Sequence, residues 1–479
     1  MENLGQQSSA SDAIRNQRSD DDVLLASWTE TCRRRGNAAA VLDARGSVLR
    51  TFNDIENEAA RFVNEVPLKR GEVIAVQIGN HPSWPALFIA CLRRGAIVLP
   101  LDRSISERER EAACTVCHVA CIATAEAEGS LSLTRRSAEA IRWDDSPPVL
   151  LKLTSGTTAA PRAIRFRSRQ LLADAEQICD TMQIGGDDVN FAVIPISHSY
   201  GFSNLLTPLL SRGVAMSLSS DRLPRAIIDG LNRTGATVFP GMPVLFQALS
   251  EMKELPQLPK LRLCISAGAP LPLRVARPFR QQFRLPIHSF YGASECGGIC
   301  YDDVGGLEVE GLVGKPMRGV QIDLLDGPAP TKIAVRSAAV GDGYFPVPDE
   351  KLTNRRFVPD DLLEATRDGF RLVGRASDLI NVAGRKVNPA EIESVLREFE
   401  QVRDAVVFAR RSRLRNEEVA ACIVTSAPVD EAKVIAFCRA HLSDWQVPKR
   451  IFFLPQLPLN ERGKVSRRVL VAQFAESAA

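Results

Sequence analysis

Residues 150–167 read LLKLTSGTTAAPRAIRFR. The stretch opens as an apolar run suited to a buried strand and ends in Thr154, Ser155, Gly156, Thr157 and Thr158. Five small residues in succession have no packing purpose at a strand end. They do leave backbone N–H groups unhindered and add hydroxyls, a surface that wraps polyphosphate oxygens. Arg162 adds a fixed positive charge. The stretch is not a P-loop: GxxxxGK[ST] is absent, and a second strand signal (AIRF) follows where that motif needs a helix. A solvated Ser/Thr turn would use the same residues, so the loop alone leaves two readings open.

On both sides of this loop the chain alternates strand and helix signals. Residues 72–78 (EVIAVQI) form a near-continuous apolar run of the kind that builds a buried parallel strand. Residues 83–93 follow with helical spacing and 96–101 (AIVLPL) with another strand, a βαβ unit. Short strands at 189–194, 237–239 and 261–265 and helices at 169–182 and 243–253 continue the pattern. Residues 301–375 are rich in Gly, Pro and Asp with short strand signals. The remainder reads as helix 389–399, strands 404–409 and 418–424, and helix 430–442. The fold class is therefore α/β. A large N-terminal domain of doubly wound sheets (26–376) carries a small β-barrel-like subdomain (301–375), and a small α+β C-terminal domain follows (377–479). Residues 1–25 are expected to be disordered.

Composition narrows the class of function. The 479 residues carry 60 Lys+Arg against 57 Asp+Glu, a net charge of +3 that offers no general field for nucleic acid or an anionic membrane. No apolar stretch is long enough to span a bilayer, and the N-terminus has neither the basic start nor the apolar core of a signal peptide. A cytoplasmic protein with eleven reduced cysteines is expected. Cys114, Cys117 and His118 spell CxxCH, a haem-attachment pattern. The flanking SERERE and VACIA favour a helix running into a buried strand instead.

Further segments follow in a fixed order: PISHSYG (195–201), SAGAP (266–270), SFYGASE (289–295), GLVGKPMRGVQID (311–323), DDLL (360–363), GRASDLINVAGRKVNPAEIE (374–393) and LPLNERGKVSRR (457–468). Together with TSGTTAAPRA, this series resembles the AMP-forming adenylating superfamily of acyl- and aryl-CoA synthetases, carrier-loading adenylation domains and luciferases. The phosphate loop departs from the family's TSGTTGxPKG at Ala159, Arg162 and Ala163. The resemblance spans nearly the whole chain from about residue 30 and implies a role for each segment. Thr154, Ser155, Gly156, Thr157, Thr158 and Arg162 would hold the β- and γ-phosphates. His198 would line the carboxylate pocket, with Gly201, Phe202, Met242, Ala267, Gly268, Ala293 and Gly298. Gly268, Ala269 and Pro270 would bear the adenine, flanked by Tyr291 and Gly292. Ser294 would meet the α-phosphate, and Glu295 would be the Mg²⁺ ligand. Asp361 would hold both ribose hydroxyls and Arg375 the ribose or phosphate. Ser377 stands at the hinge position, Gly384 at the thiol channel, and Lys464 at the place of the catalytic lysine.

The activity so implied is ATP-dependent activation of a fatty or aryl acid as an acyl-adenylate, then transfer to a thiol while the C-terminal domain rotates. CoA is the expected acceptor, because the chain ends without a carrier domain. The alternatives are a carrier protein's phosphopantetheine, or an amine or hydroxyl acceptor. A non-catalytic binding protein is disfavoured by the retention of Glu295, Asp361, Arg375 and Lys464 together. Arg385, Lys386, Arg410, Arg411, Arg413 and Arg415 form either a surface for CoA phosphates or an acidic carrier, or a solvated face. A monomer or homodimer is expected.

Overall fold

The computed structural model describes residues 22–126, 129–143, 146–154, 161–253, 257–325, 329–353, 355–382, 385–412, 416–458 and 467–474. Ser155, Gly156, Thr157, Thr158, Gly384 and Lys464 lie outside these residues, as does nearly all of the expected disordered N-terminus. The chain divides into two compact units. The first comprises residues 1–323, 334–358 and 367–369, and the second 324–333, 359–366 and 370–479.

The first unit is built on two sheets. One runs in the order Gly343–Phe345, Ala163–Phe166, Leu150–Leu153, Ile97–Pro100, Val73–Gln77, Val119–Ala125, Leu131–Arg135. Its four central strands, from Leu150–Leu153 to Val119–Ala125, are parallel. Val73 to Val76 are wholly buried, which is why this segment shows no polar alternation: helices cover both faces of a parallel sheet. The helix Trp84–Arg94 connects the strands Val73–Gln77 and Ile97–Pro100, with proline in its first turn and Gly95 in the left-handed conformation ending it. The second sheet holds Ala39–Asp43, Ala215–Leu218, Val189–Ala192, Val238–Gly241, Leu263–Ser266 and Ile287–Ala293, all parallel. Open α/β sheets bind ligands beyond the carboxyl ends of their strands. At and just beyond these carboxyl ends lie the sequence-predicted segments 195–201, 266–270 and 289–295.

Between residues 297 and 375 every regular element among the described residues is a strand. The CxxCH segment is the helix Glu107–Val116 running into the strand Val119–Ala125, as its flanks implied. Cys114, Cys117 and Cys121 are buried, and burial pushes the Cys117 thiol up to about 12 and that of Cys121 to about 11. Among the described residues no helix is long and apolar enough to cross a membrane.

In the second unit the long hairpin Val402–Ser412 and Asn416–Thr425 alternates its side chains between two apolar layers. Val407, Val419, Ala421 and Ile423 pack with Ile392 and Leu396 of the helix Pro389–Glu398 and with Val434 and Cys438 of the helix Glu431–His441. Val406, Phe408, Ala420 and Cys422 face Leu457 and Leu470, with Phe452 and Phe474 alongside. Arg467 opens the last helix, Arg467–Phe474, and ties these parts together. It pairs with Asp378 at 2.9 Å and Glu393 at 2.7 Å, and donates to the carbonyl of Val407 at 3.0 Å. Glu393 is 5% exposed and also accepts from the Val407 N–H. Breaking a buried pair from one side strands the other charge. Arg467→Ala is therefore expected to destabilise the second unit by about 3 kcal/mol, read as a lowered urea midpoint.

Candidate active site

The neck of the phosphate loop is closed by the Thr154 N–H donating to the Arg162 carbonyl at 2.8 Å. The strands on either side, Leu150–Leu153 and Ala163–Phe166, pair antiparallel. On the outer edge the strand Gly343–Phe345 joins, with Phe345 opposite Ala163, and this brings Tyr344 next to Arg162. The Arg162 guanidinium lies 4.5 Å from the centroid of the Tyr344 ring and pairs with Asp349 at 3.1 Å. The Tyr344 hydroxyl donates to Glu295 Oε1 at 2.9 Å. Burial, with Glu295 next to it, holds the Tyr344 phenol well above its usual range, so it serves as a neutral donor. Asp349 is held below the usual carboxylate range by the Lys351 N–H and then by Arg162. Arg162, Tyr344, Asp349 and Glu295 are thus one connected group.

Glu295 is joined through the chain to Ser294, whose hydroxyl is 3.0 Å from that of Ser199. His198 immediately precedes Ser199 and caps the turn Ser199–Gly201, which continues into a π-helical stretch, Phe202–Leu206. Single π turns of this kind recur at functional sites. His198 Nε2 lies 2.9 Å from Asp102 Oδ2. Asp102 follows the strand Ile97–Pro100 of the other sheet, so this contact bridges the two sheets. The Asp102 carboxyl is held far below the carboxylate range, first by His198 and then by the hydroxyl and N–H of Ser104.

Gly268 has φ of +87°, a left-handed conformation that favours glycine, and a Cβ there would meet only Met242 Cγ at 3.9 Å. With Ala269 and Pro270 it forms an exposed small-residue ledge at the end of the strand Leu263–Ser266. Tyr291 is buried, whereas Gly292 is exposed. Ser294 does not sit on a hydrolase-type elbow, because the strand Ile287–Ala293 turns into the antiparallel strand Gly297–Tyr301 and not into a helix. In the second unit Arg375 Nε donates to Asp361 Oδ1 at 2.9 Å, across the strands Asp361–Thr366 and Gly369–Arg375.

Three residues expected to line an acid pocket are packing positions instead. Phe202 is 1% exposed and stacks edge-on against Phe88 at 5.2 Å and Trp84 at 6.5 Å. The space a side chain at Gly201 would need is filled by the Pro195 carbonyl, and that at Gly298 by Met317 Sδ and Phe290. Gly298 therefore does not enlarge a pocket. The expected basic cluster is also divided. Arg410 is 6% exposed and faces Glu418 at 3.7 Å, while Arg385 lies on the Trp445 ring at 4.3 Å. The side chains of Lys386 and Arg411, and residues Arg413 and Arg415, are outside the description.

Sequence reading did not find Asp102, Tyr344, Asp349 or the buried Lys152. Their partners are distant in the chain: Arg162 and Asp349 are 187 residues apart, and Tyr344 and Glu295 are 49. The one linear signal was a tyrosine in an otherwise Gly/Asp/Pro-rich stretch, GDGYFP.

Comparison with known proteins agrees with this arrangement. The oxalate–CoA ligase of Arabidopsis thaliana is 25% identical over 475 residues, covering 88% of this chain and 92% of that protein. The 3,4-dihydroxybenzoate–[aryl-carrier protein] ligase of Bacillus anthracis is 26% identical over 336 residues, covering 69% and 76% respectively. The crystal structure of ATP-bound MatB from Rhodopseudomonas palustris has the same fold, with a TM-score of 0.81 at 24% identity over 91% of this chain and 96% of that one. The profile of the AMP-binding enzyme family matches residues 28–345, and that of the AMP-binding enzyme C-terminal domain matches 391–464. The chain belongs to the AMP-binding enzyme family.

Proposed function

We propose that this enzyme is an ATP-dependent, AMP-forming ligase that activates a carboxylic acid as its acyl-adenylate and passes the acyl group to the thiol of CoA. The observation that carries this reading is the connected group Arg162–Tyr344–Glu295–Ser294 beyond the strand ends of the first unit. Its chemistry is that of a polyphosphate site, with a guanidinium for phosphate oxygens, a hydroxyl, and a carboxylate of the kind that shares a divalent cation with them.

In the first step a carboxylate oxygen of the acid attacks the α-phosphorus and the bond to pyrophosphate breaks. The protein's part is positioning and charge neutralisation. Thr154, Ser155, Gly156, Thr157, Thr158 and Arg162 hold the β- and γ-phosphates. Ser294 holds the α-phosphate, and Lys464 stabilises the charge between carboxylate and phosphorus. The ledge Gly268, Ala269 and Pro270, with Tyr291 and Gly292, takes the adenine. Asp361 takes the ribose hydroxyls, oriented by Arg375. His198, held by Asp102, faces the acid. Magnesium suits Glu295: a single hard carboxylate oxygen, completed by phosphates and water, is the donor set this ion takes with nucleotides. Bound there, it would supply charge neutralisation to the phosphates. In the second step the thiolate sulfur, arriving past Gly384, attacks the acyl carbon and AMP leaves with its phosphate oxygen.

A carrier-protein thiol is the second reading, favoured by the likeness to an aryl-carrier ligase. Both are tested by a panel of fatty, aryl and amino acids assayed for pyrophosphate release with ATP, then for thioester with CoA. Acid-dependent pyrophosphate release with a CoA thioester as product is expected. Pyrophosphate release without any thioester would move the acceptor to a carrier or an amine. No acid-dependent release would remove the ligase reading.

A further inference from the structure

Lys152 lies in the strand Leu150–Leu153, two residues before the phosphate loop begins at Thr154, and its side chain is only 5% exposed. An ammonium inside a protein is costly unless a counter-charge or hydrogen bonds compensate it. The compensation here is unusual. The ammonium lies 4.7 Å from the centroid of Phe166 and 5.6 Å from that of Phe202, a cation between two ring faces. Among the described residues it makes no ion pair within 4.0 Å. The acidic groups within electrostatic reach are Asp174, then the thiol of Cys296, then Glu295, while burial pulls the lysine below its usual range. Asp174 is 4% exposed and bound to the N–H of Gly298 at 3.0 Å. The lysine is therefore part of the strand that leads into the loop, with the segment 295–298 within its electrostatic reach.

The charges around the loop explain why a cation is kept there. Arg162, the loop's own cation, is paired with Asp349. Asp174 and Glu295 add negative charge within electrostatic reach of Lys152, and the whole chain carries only +3. A triphosphate with about four negative charges approaching such a site needs a local positive charge that no carboxylate holds at contact distance. We propose that Lys152 supplies that charge from the strand that leads into the phosphate loop, as an electrostatic support for ATP that never touches it, a role resting on the ATP-dependent reading above. A charge in the low-dielectric interior acts over a longer distance than one in water, so contact is not required.

The test is direct binding of ATP and of AMP, with Mg²⁺ and without acid, to the wild type, Lys152→Met, Asp174→Asn and the double variant by calorimetry. Methionine keeps an unbranched side chain, one atom shorter than that of lysine and without its charge, between the two rings, and asparagine keeps the acceptor for Gly298. Among the described residues Lys152 makes no contact ion pair, so methionine leaves no contacting charge without its partner, and thermal melts confirm folding. Lys152→Met is expected to weaken ATP about tenfold, and AMP less. Asp174→Asn, which removes the nearest opposing charge, is expected to leave ATP affinity unchanged or raise it. The double variant should lie nearer the wild type than Lys152→Met does, and it carries the test if that single variant does not fold. ATP affinity unchanged in Lys152→Met overturns the inference. Equal weakening in both single variants also overturns it, since that marks a packing role. A wild type that binds no ATP overturns the functional reading itself, and this inference with it.

Discussion

Lys464→Ala is expected to lower acid-dependent pyrophosphate release by about 10²- to 10³-fold or more, the cost of removing a charge aimed at a developing transition-state oxyanion. The effect is specific to one half-reaction. The resemblance of LPLNERGKVSRR to the family's terminal segment assigns Lys464 to adenylation alone, with the lysine withdrawn before the thiol arrives. Thioester formation from a preformed acyl-adenylate is therefore expected to survive in the variant, and its melting temperature to match the wild type. Both steps are read in single-turnover assays. Pyrophosphate release at the wild-type rate would take Lys464 out of the reaction. Loss of both steps together would mark a folding defect, not a catalytic one.

Glu295→Gln is the second large effect. Glutamine preserves the shape of the side chain and its acceptor for the Tyr344 hydroxyl, which lies 2.9 Å from Oε1 in the wild type. Packing around Tyr344 and Arg162 should therefore hold. What is lost is the negative oxygen that magnesium requires, since the ion binds carboxylate and phosphate oxygens far better than an amide. The pyrophosphate-release rate is expected to fall about 10²-fold. The magnesium concentration needed for half-maximal rate should rise at the same time. A fall in rate with no change in magnesium dependence would assign Glu295 to holding Tyr344 and Arg162 in place instead.

Much of the candidate site is proposed from short strings in the chain, because its backbone-built parts are contiguous. A phosphate-wrapping loop needs small residues side by side, and a flat ledge against a base needs Gly, Ala and Pro in sequence, so TSGTT and SAGAP stand out as strings. Buried parallel strands were legible for a related reason: lacking polar alternation, they read as apolar runs. Their ends were less so. The expected strand 189–194 stops at Ala192, where its pairing with Leu218 ends. The C-terminal hairpin runs further than its apolar pattern, because cross-strand pairing carries it through the charged pair Arg410 and Glu418 to Ser412 and Asn416.

The linear order of residues thus settled the fold class and the family, through short strings whose chemistry is local. The pairings that set each charge came from the folded chain alone. Arg162 is a loop cation in sequence but a partner of Asp349 in space, and His198 is a lone histidine until Asp102 arrives from the other sheet. Phe202 and Gly298 look like pocket wall in the motif and turn out to be filled packing. Lys152 is one letter in an apolar strand, and only the fold shows it buried between the rings of Phe166 and Phe202. The reason is physical: local propensity and backbone geometry depend on neighbours in the chain, whereas the energy of a charge depends on its dielectric surroundings and on groups that folding brings from far along the chain.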